Sequence, residues 1–128
     1  MMYVTTIDIV GLTAEEYRAV LNKMGVETHP AANIFLHLAT TIEGGYRIVE
    51  IWDSKEGFEE FLQKRLAPAN QALGINRDAK ISITPLHNFF GPRLESFRAS
   101  SALFQAHLIV RLPNPGRYSV RDHFKFKL

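Results

Sequence analysis

Two consecutive glycines in the middle of a strand-forming stretch constrain the fold of this chain more than any other feature. Gly44-Gly45 separates Asn33–Ile42 from Tyr46–Asp53, and both flanking segments are rich in β-branched and aromatic residues. A Gly-Gly pair supplies the positive φ angles that a tight hairpin turn needs. The sequence therefore predicts two antiparallel strands joined by a short turn, with a helix beginning directly after them.

The segment before this hairpin predicts a strand followed by a helix. Met2–Val10 is rich in β-branched residues and is typical of a strand. Thr13 and Glu16 have the spacing of a capping box, and Gly25 stands where a helix commonly ends. We therefore expect a first strand over Met2–Val10 and a first helix over about Ala14–Met24.

The segment after the hairpin predicts a second helix and a fourth strand. The helix begins near Ser54, and Pro68 is expected to kink or end it, leaving a further short helical stretch up to Gly74. Lys80–Phe90 is expected to form a strand, in which Pro85 favours an edge position or a bulge. The order of elements is βαββαβ, and the fold class is therefore α+β.

Residues 93–128 follow this complete unit and predict an addition to it. Ala102–Leu112 and Arg117–Leu128 alternate between apolar and polar side chains, and a Pro-Asn-Pro-Gly turn separates them. This pattern indicates an amphipathic β-hairpin with one basic face. Its apolar face must be covered, either by its own domain or by a partner chain. We place the main domain at residues 1–92 and the extension at 93–128.

Composition and motifs exclude several classes of function. The chain has no cysteine, which excludes disulfides, thiolate metal sites and a cysteine nucleophile. Its histidines lack the close spacing of metal ligands, and no glycine-rich phosphate loop is present. No apolar run approaches a membrane span, and Met1–Val10 lacks the features of a signal peptide. We therefore expect no metal, no cofactor and no membrane partner, and a cytoplasmic location.

Charge is distributed unevenly along the chain. Residues through Phe90 carry 8 Lys/Arg against 11 Asp/Glu, whereas residues from Gly91 onward carry 7 against 2. A basic end can attract an anionic partner, but a solvated strand face explains the same pattern. The basic face over Arg117–Lys127 is short, and its aromatic side chains point to the opposite side. A nucleic-acid partner is therefore not expected.

The chain resembles the small dimeric α+β barrel proteins related to the antibiotic biosynthesis monooxygenases. The resemblance covers about Met1–Pro92 and lies in four stretches, which read GLTAEEY, IFLHLA, GGYRIVEIWDSKEGFEEFLQKRLAPA and PLHNFF. It implies a ferredoxin-like antiparallel sheet that pairs with a second copy to close a barrel, with the helices outside. A homodimer is therefore expected. Characterised relatives include cofactor-free oxygenases of phenolic or polycyclic substrates and haem-degrading enzymes.

The haem-degrading relatives carry a tryptophan and a histidine within their second helix. Those positions fall near Phe61 and Gln71 in this chain, and both side chains depart from the pattern. The resemblance therefore does not favour haem degradation. Residues 93–128 have no counterpart in the resemblance.

Cofactor-free oxygenation needs a base beside an ionisable, electron-rich substrate in a dry pocket. His37 and His87 are the candidate catalytic residues, because each lies within a predicted strand and histidine titrates near neutral pH. Tyr46 or Asn88 is suited to donate a hydrogen bond to a phenolate or an oxygen intermediate. The candidate substrate-binding residues are Phe35, Tyr46, Trp52, Phe61 and Asn88.

Each candidate also fits a purely structural role. A strand histidine often hydrogen-bonds within a packed interior, and a tryptophan is commonly part of the core. Glu50 lies in the middle of a strand, and we expect it to pair with Arg47 or with a second copy of the chain rather than to act in catalysis. Two functions therefore stay open. One is a cofactor-independent monooxygenase acting on a small aromatic or quinol-type molecule, and the other is a non-catalytic dimeric module that binds a ligand or a protein.

Overall fold

The computed structural model describes residues 1–97 and the backbone of residues 124–127. The predicted βαββαβ order is confirmed. The elements are β1 Tyr3–Val10, α1 Ala14–Met24, β2 Ile34–Ile42, β3 Gly45–Trp52, α2 Lys55–Phe61, a π-helical turn Leu62–Leu66, α3 Ala67–Leu73, β4 Asp78–Pro85 and β5 Phe124–Lys127.

The strands form one antiparallel sheet in the order β2-β3-β1-β4-β5. Its first four strands have the predicted ferredoxin-like arrangement. The β2–β3 hairpin turns at Glu43 and Gly44, where Gly44 has a φ of 76°, and Ile42 pairs with Gly45. A Cβ atom on Gly45 would lie 2.0 Å from the carbonyl oxygen of Ile9, so only glycine fits there.

The sheet packs its core on one face only. Ile7 pairs with Ile48 and with Ile81, and these side chains lie in the buried cluster under the helices together with Trp52 and Phe58. The opposite face carries an ion pair in which Arg47 Nε lies 2.7 Å from Asp8 Oδ1. Asp8 is 1% exposed, so this carboxylate is buried with its partner.

The ends of α1 follow the predicted capping chemistry. The Thr13 hydroxyl accepts from the Glu16 N–H at 3.1 Å, and the Glu16 carboxylate accepts from the Thr13 N–H at 3.1 Å. Gly25 ends the helix in the left-handed conformation with a φ of 66°. These bonds satisfy backbone groups that a helix end otherwise leaves unpaired.

The second helical segment continues through Pro68 instead of breaking there. A π-helical turn over Leu62–Leu66 lets the Ala67 N–H bond to the Leu62 carbonyl. Pro68 then lies in the first turn of α3, where a missing N–H costs no helical bond. Gly74 ends α3 with a φ of 69°, as predicted.

The fourth strand ends five residues earlier than predicted, at Pro85 instead of Phe90. It covers Asp78–Pro85 rather than Lys80–Phe90, because Pro85 pairs with Tyr3, the first residue of the neighbouring β1. His87 and Asn88 therefore lie beyond the strand and not within it. The β5 strand pairs with Asp78–Ile81 only, so Pro85 lies beyond that pairing, consistent with the predicted edge position.

Several predictions lie outside these observations. The predicted C-terminal hairpin is described only in part. Its first half, 102–112, and its turn lie outside the described residues, whereas β5 lies within its second half. The boundary between residues 92 and 93 and the closure of a barrel by a second copy stay predictions. Among the described residues, no helix is long and apolar enough to cross a membrane.

Candidate functional site

The register of the β2–β3 hairpin places His37 directly opposite Glu50. Glu50 shares a strand face with Tyr46 and Trp52, and this is the face that packs against the helices. His37 therefore projects from the outermost strand toward the same side. The two side chains meet, with His37 Nδ1 lying 2.7 Å from Glu50 Oε2.

A β-bulge removes Phe35 from this face. Ile34 pairs with Trp52 and Leu36 pairs with Ile51, so the strict alternation expected along β2 fails between them. Phe35 is a predicted substrate-binding residue, and strict alternation would place it on the face of His37. Its side chain is instead 65% exposed and does not line the cavity described below. That placement was wrong, because Ile34 takes the position opposite Trp52 instead.

Hydrogen bonds extend from His37 in both directions. On one side, the Glu50 Oε1 atom accepts from the Trp52 indole N–H at 3.0 Å and makes a longer contact of 3.5 Å with the Thr5 hydroxyl. On the other side, the Tyr17 hydroxyl oxygen lies 2.9 Å from His37 Nε2. We refer to Tyr17, His37 and Glu50 as the triad.

The surroundings of Glu50 fix the tautomer of His37. The Glu50 side chain is only 4% exposed, and a carboxylate buried without partners would be costly. A carboxylate can only accept hydrogen bonds, so the proton between the two groups belongs to His37 Nδ1. The Nε2 atom then carries the lone pair and accepts from the Tyr17 hydroxyl. Nε2 is therefore the basic atom of the triad, and it faces away from Glu50.

Tyr17 reaches the triad from α1. Its ring stacks on that of Tyr46 with centroids 5.6 Å apart and an interplanar angle of 4°. Burial raises the pKa of Tyr17 to about 12, and it also raises the pKa of Tyr46. The Tyr17 hydroxyl therefore stays protonated at neutral pH and serves as a hydrogen-bond donor.

The raised pKa of Tyr17 predicts a loss of stability in strongly alkaline solution. The unfolded chain releases this proton near pH 10, whereas the folded chain holds it up to about pH 12. Stabilisation that is fully present below pH 10 is therefore lost between pH 10 and 12, by roughly 2–3 kcal/mol. Urea unfolding at pH 9 and pH 11.5 measures it. Tyr17→Phe should show a smaller decline than the unmodified chain, and equal declines would contradict the assignment.

A large cavity lies between the helices and the sheet, with a volume of about 1550 Å³. Its lining is mostly apolar and includes all three members of the triad, together with Tyr46 and Phe61. Small-molecule sites usually enclose roughly 300–1,000 Å³, so this cavity has room for a molecule of several fused rings. The predicted positions of His37, Tyr46 and Phe61 beside one pocket are consistent with this geometry.

Other predicted site residues lie elsewhere. Trp52 is fully buried behind the cavity wall, with its ring centroid 5.7 Å from that of Phe58 and 5.3 Å from that of Phe61. It holds Glu50 and does not line the cavity. His87 and Asn88 are exposed beyond the end of β4 and do not line it either.

Two members of the triad were not predicted to act together. Tyr17 appears in the sequence only as part of the apolar stripe of α1, and nothing local marks its hydroxyl. Glu50 was expected to pair with Arg47 or with a second copy of the chain. The first alternative was wrong, because side chains three positions apart in a strand point to opposite faces, and Arg47 pairs with Asp8. The second alternative stays a prediction. The hairpin register was the available signal, because it places His37 opposite Glu50.

No three histidine, aspartate or glutamate side chains come together as a metal ligand set in residues 1–97. Besides the triad, the lining includes polar side chains of α1 and α3 and the charged side chains of Glu27 and Arg77. The arrangement is suited to accept a proton at His37 Nε2 and to donate a hydrogen bond from Tyr17.

No protein-family profile and no curated protein matches the chain. Solved structures do match it. A putative antibiotic biosynthesis monooxygenase from Chloroflexus aurantiacus has a TM-score of 0.51 at 16% identity, over 71% of this chain and 98% of that one. SnoaB, a cofactor-independent oxygenase from Streptomyces nogalater, has a TM-score of 0.51 at 12% identity, over 70% of this chain and 95% of that one. A Mycobacterium tuberculosis protein has a TM-score of 0.51 at 14% identity, over 70% and 99%.

The chain has the fold of the antibiotic biosynthesis monooxygenase-like proteins. The suspected resemblance is thereby confirmed for the fold. At 12–16% identity the likeness says nothing about which residues act. The roles of Tyr17, His37 and Glu50 rest on the contacts of this chain alone.

Proposed function

We propose that this chain is a cofactor-independent oxygenase that acts on a small hydrophobic aromatic molecule, such as a hydroquinone or an anthrone-like phenol. The observation that carries the proposal is the triad in the wall of the apolar cavity. Glu50 accepts from His37 Nδ1 at 2.7 Å and thereby leaves Nε2 as the basic atom of a side chain that lines the cavity. The fold shared with a known cofactor-independent oxygenase supports the same reaction class.

The first step of the proposed reaction is removal of a proton from the substrate. His37 Nε2 accepts the proton, and the buried Glu50 carboxylate stabilises the imidazolium that forms. The substrate anion passes one electron to dioxygen, and the two radicals combine through a new carbon–oxygen bond. Loss of water from the resulting peroxide leaves a carbonyl group. His37 returns its proton to the peroxide before the water leaves. One oxygen atom thus enters the product, and the other leaves as water with that proton and the hydrogen of the oxidised carbon.

Tyr17 has a second role in this proposal. In the free protein its hydroxyl occupies the lone pair of His37 Nε2, so a substrate hydroxyl must replace that bond. The released Tyr17 hydroxyl, kept protonated by burial, can then donate to the phenolate or peroxide oxygen. The mostly apolar lining excludes water from the anion and strengthens this bond.

The active form in this proposal is a homodimer. The sheet face opposite the helices carries partly exposed apolar side chains, among them Val10 at 54% and Leu38 at 42% exposure. A second copy laid on this face would bury them and close the barrel that the resemblance implies. The ion pair of Asp8 and Arg47 lies on the same face and would be shielded further.

Oxygen uptake is the experiment that tests the proposal. The protein, freed of metals with a chelator and without added flavin, is mixed with a panel of hydroquinones and anthrone-like phenols. We expect uptake with at least one substrate, with one oxygen atom from labelled dioxygen in the product. The fractions that take up oxygen should be those in which the protein elutes from gel filtration as a dimer. Uptake that disappears with the chelator, or that needs flavin, would contradict a cofactor-independent reaction.

A non-catalytic ligand-binding module is the second candidate. The observation that favours it is the bond between Tyr17 and His37, which satisfies Nε2 without any substrate. In that case the same compounds should bind, as measured by quenching of Trp52 fluorescence, with no oxygen uptake across the panel.

A further inference from the structure

Among the buried Thr, Asp, Glu and Asn side chains of the described residues, Asn70 alone has no hydrogen-bond partner in them. It lies in α3 and is 3% exposed. Three other polar side chains are equally buried, and each has a partner: Thr5 contacts Glu50, Asp8 pairs with Arg47, and Glu50 accepts from His37. The Asn70 backbone carbonyl accepts from the Ile75 N–H at 2.9 Å, but its side-chain amide has no hydrogen bond to any described residue.

A buried amide without partners is unusual in a folded protein. Most buried polar side-chain atoms are hydrogen-bonded, and an unsatisfied one needs a specific reason. Asn70 also belongs to the lining of the cavity. The unsatisfied amide therefore borders the same space as the triad, where a bound molecule can reach it.

We propose that Asn70 is a ligand-recognition residue, whose amide hydrogen-bonds a ring carbonyl or hydroxyl oxygen of the molecule that occupies the cavity. This inference rests on the proposed function only for the place where the ligand binds, and not for turnover. The amide supplies two N–H donors and one carbonyl acceptor, so it accommodates a ketone or a phenol oxygen.

Asn70 and His37 approach the cavity from different parts of the fold. His37 lies on β2, at one edge of the sheet. Asn70 lies in α3, which precedes β4 in the chain, and two strands, β3 and β1, separate β4 from β2 in the sheet. The ligand class that fits both is a fused-ring aromatic with two oxygen functions: one reacts or binds at His37, and the other is held by Asn70. The surrounding apolar lining selects the ring system, and the amide selects its oxygen.

Equilibrium binding of a matched pair of compounds tests this inference. Fluorenone and fluorene share one fused-ring framework and differ by a carbonyl oxygen. That oxygen can only accept a hydrogen bond, and His37 Nε2 is itself an acceptor, so the two do not bond to each other. We expect the unmodified protein to bind fluorenone about tenfold more tightly than fluorene, because a site with a buried polar group rejects a ligand that leaves it unpaired. In Asn70→Leu the two compounds should bind about equally. Titration in a Tyr17→Phe/Tyr46→Phe background removes both tyrosine hydroxyls of the cavity lining and should leave the preference in place.

Gln71→Leu is the matched control, because Gln71 carries the same amide on the same helix but is exposed and does not line the cavity. It should retain the preference for fluorenone. Asn70→Leu should still fold, because the Asn70 amide has no hydrogen bond to any described residue. If Asn70→Leu does not fold, Asn70→Ala carries the same comparison.

Two results would overturn the inference. They are equal binding of the two compounds by the unmodified protein, and a preference for fluorenone that persists in a folded Asn70→Leu or Asn70→Ala protein. Since the measured quantity is binding, a preference for fluorenone without oxygen uptake would contradict the oxygenase proposal and leave the role of Asn70 intact. Oxygen uptake without a preference for fluorenone would contradict the role of Asn70 and leave the oxygenase proposal intact.

Discussion

His37→Ala is expected to lower the rate of oxygen uptake by about 10²–10⁴-fold, the usual contribution of a general base. The substitution removes the only imidazole that meets both the cavity and a buried carboxylate in the described part of the chain. The rate should fall without loss of the fold, although stability decreases, because Glu50 loses His37 but keeps its hydrogen bond from the Trp52 indole N–H.

Two further variants separate catalysis from packing. His37→Gln can still donate a hydrogen bond toward Glu50 but cannot accept a substrate proton at neutral pH, so its rate should be as low as that of His37→Ala. His87→Ala should keep the full rate, because His87 is exposed beyond β4 and away from the cavity. An active His37→Ala protein, or an inactive but folded His87→Ala protein, would refute His37 as the base.

Trp52→Ala is expected to destabilise the fold by about 3–5 kcal/mol, as large-to-small changes of buried aromatic residues do. The indole is fully buried and packs against the rings of Phe58 and Phe61. Domains of this size have a total stability of about 5–15 kcal/mol, so this loss is a large share of it. Urea denaturation monitored by circular dichroism measures the change, since the variant lacks the tryptophan fluorescence signal.

Trp52→Phe is the companion variant that isolates the hydrogen bond to Glu50. It keeps an aromatic ring but removes the indole N–H that lies 3.0 Å from Glu50 Oε1. We expect a smaller loss of stability, about 1–3 kcal/mol, because a buried acceptor loses a donor. Its oxygen uptake should nevertheless fall, because Glu50 is then free to turn away from His37. Equal stability losses in the two variants would mean that the hydrogen bond, and not ring packing, dominates.

Much of the fold was predictable from local signals. The glycine pair predicts the hairpin, and Thr13 with Glu16 predicts the start of α1, because turns and caps depend on neighbouring residues alone. Strand alternation also predicts that Tyr46, Glu50 and Trp52 share one face of β3. These rules act over a few residues, and the described structure follows them closely.

The candidate site was predictable only in part, because its contacts join distant segments. Tyr17 and His37 are 20 residues apart, and Thr5 and Glu50 are 45 apart. No local pattern states that the hydroxyl on α1 faces the imidazole on β2. Phe35 was misplaced because a bulge breaks the alternation of β2, and His87 because β4 ends at Pro85. A bulge and a strand end both depend on which neighbouring strand is paired.

The hydrogen bonds of the triad and its support bind together α1, β1, β2 and β3. These hydrogen bonds form only when all four elements are in place, because the loops between them must close before the side chains can meet. Binding at this place is therefore thermodynamically linked to unfolding of the whole domain and not to the opening of one loop. Any compound that fills the cavity raises the melting midpoint by mass action. A thermal-shift screen can thus rank candidate substrates without any turnover.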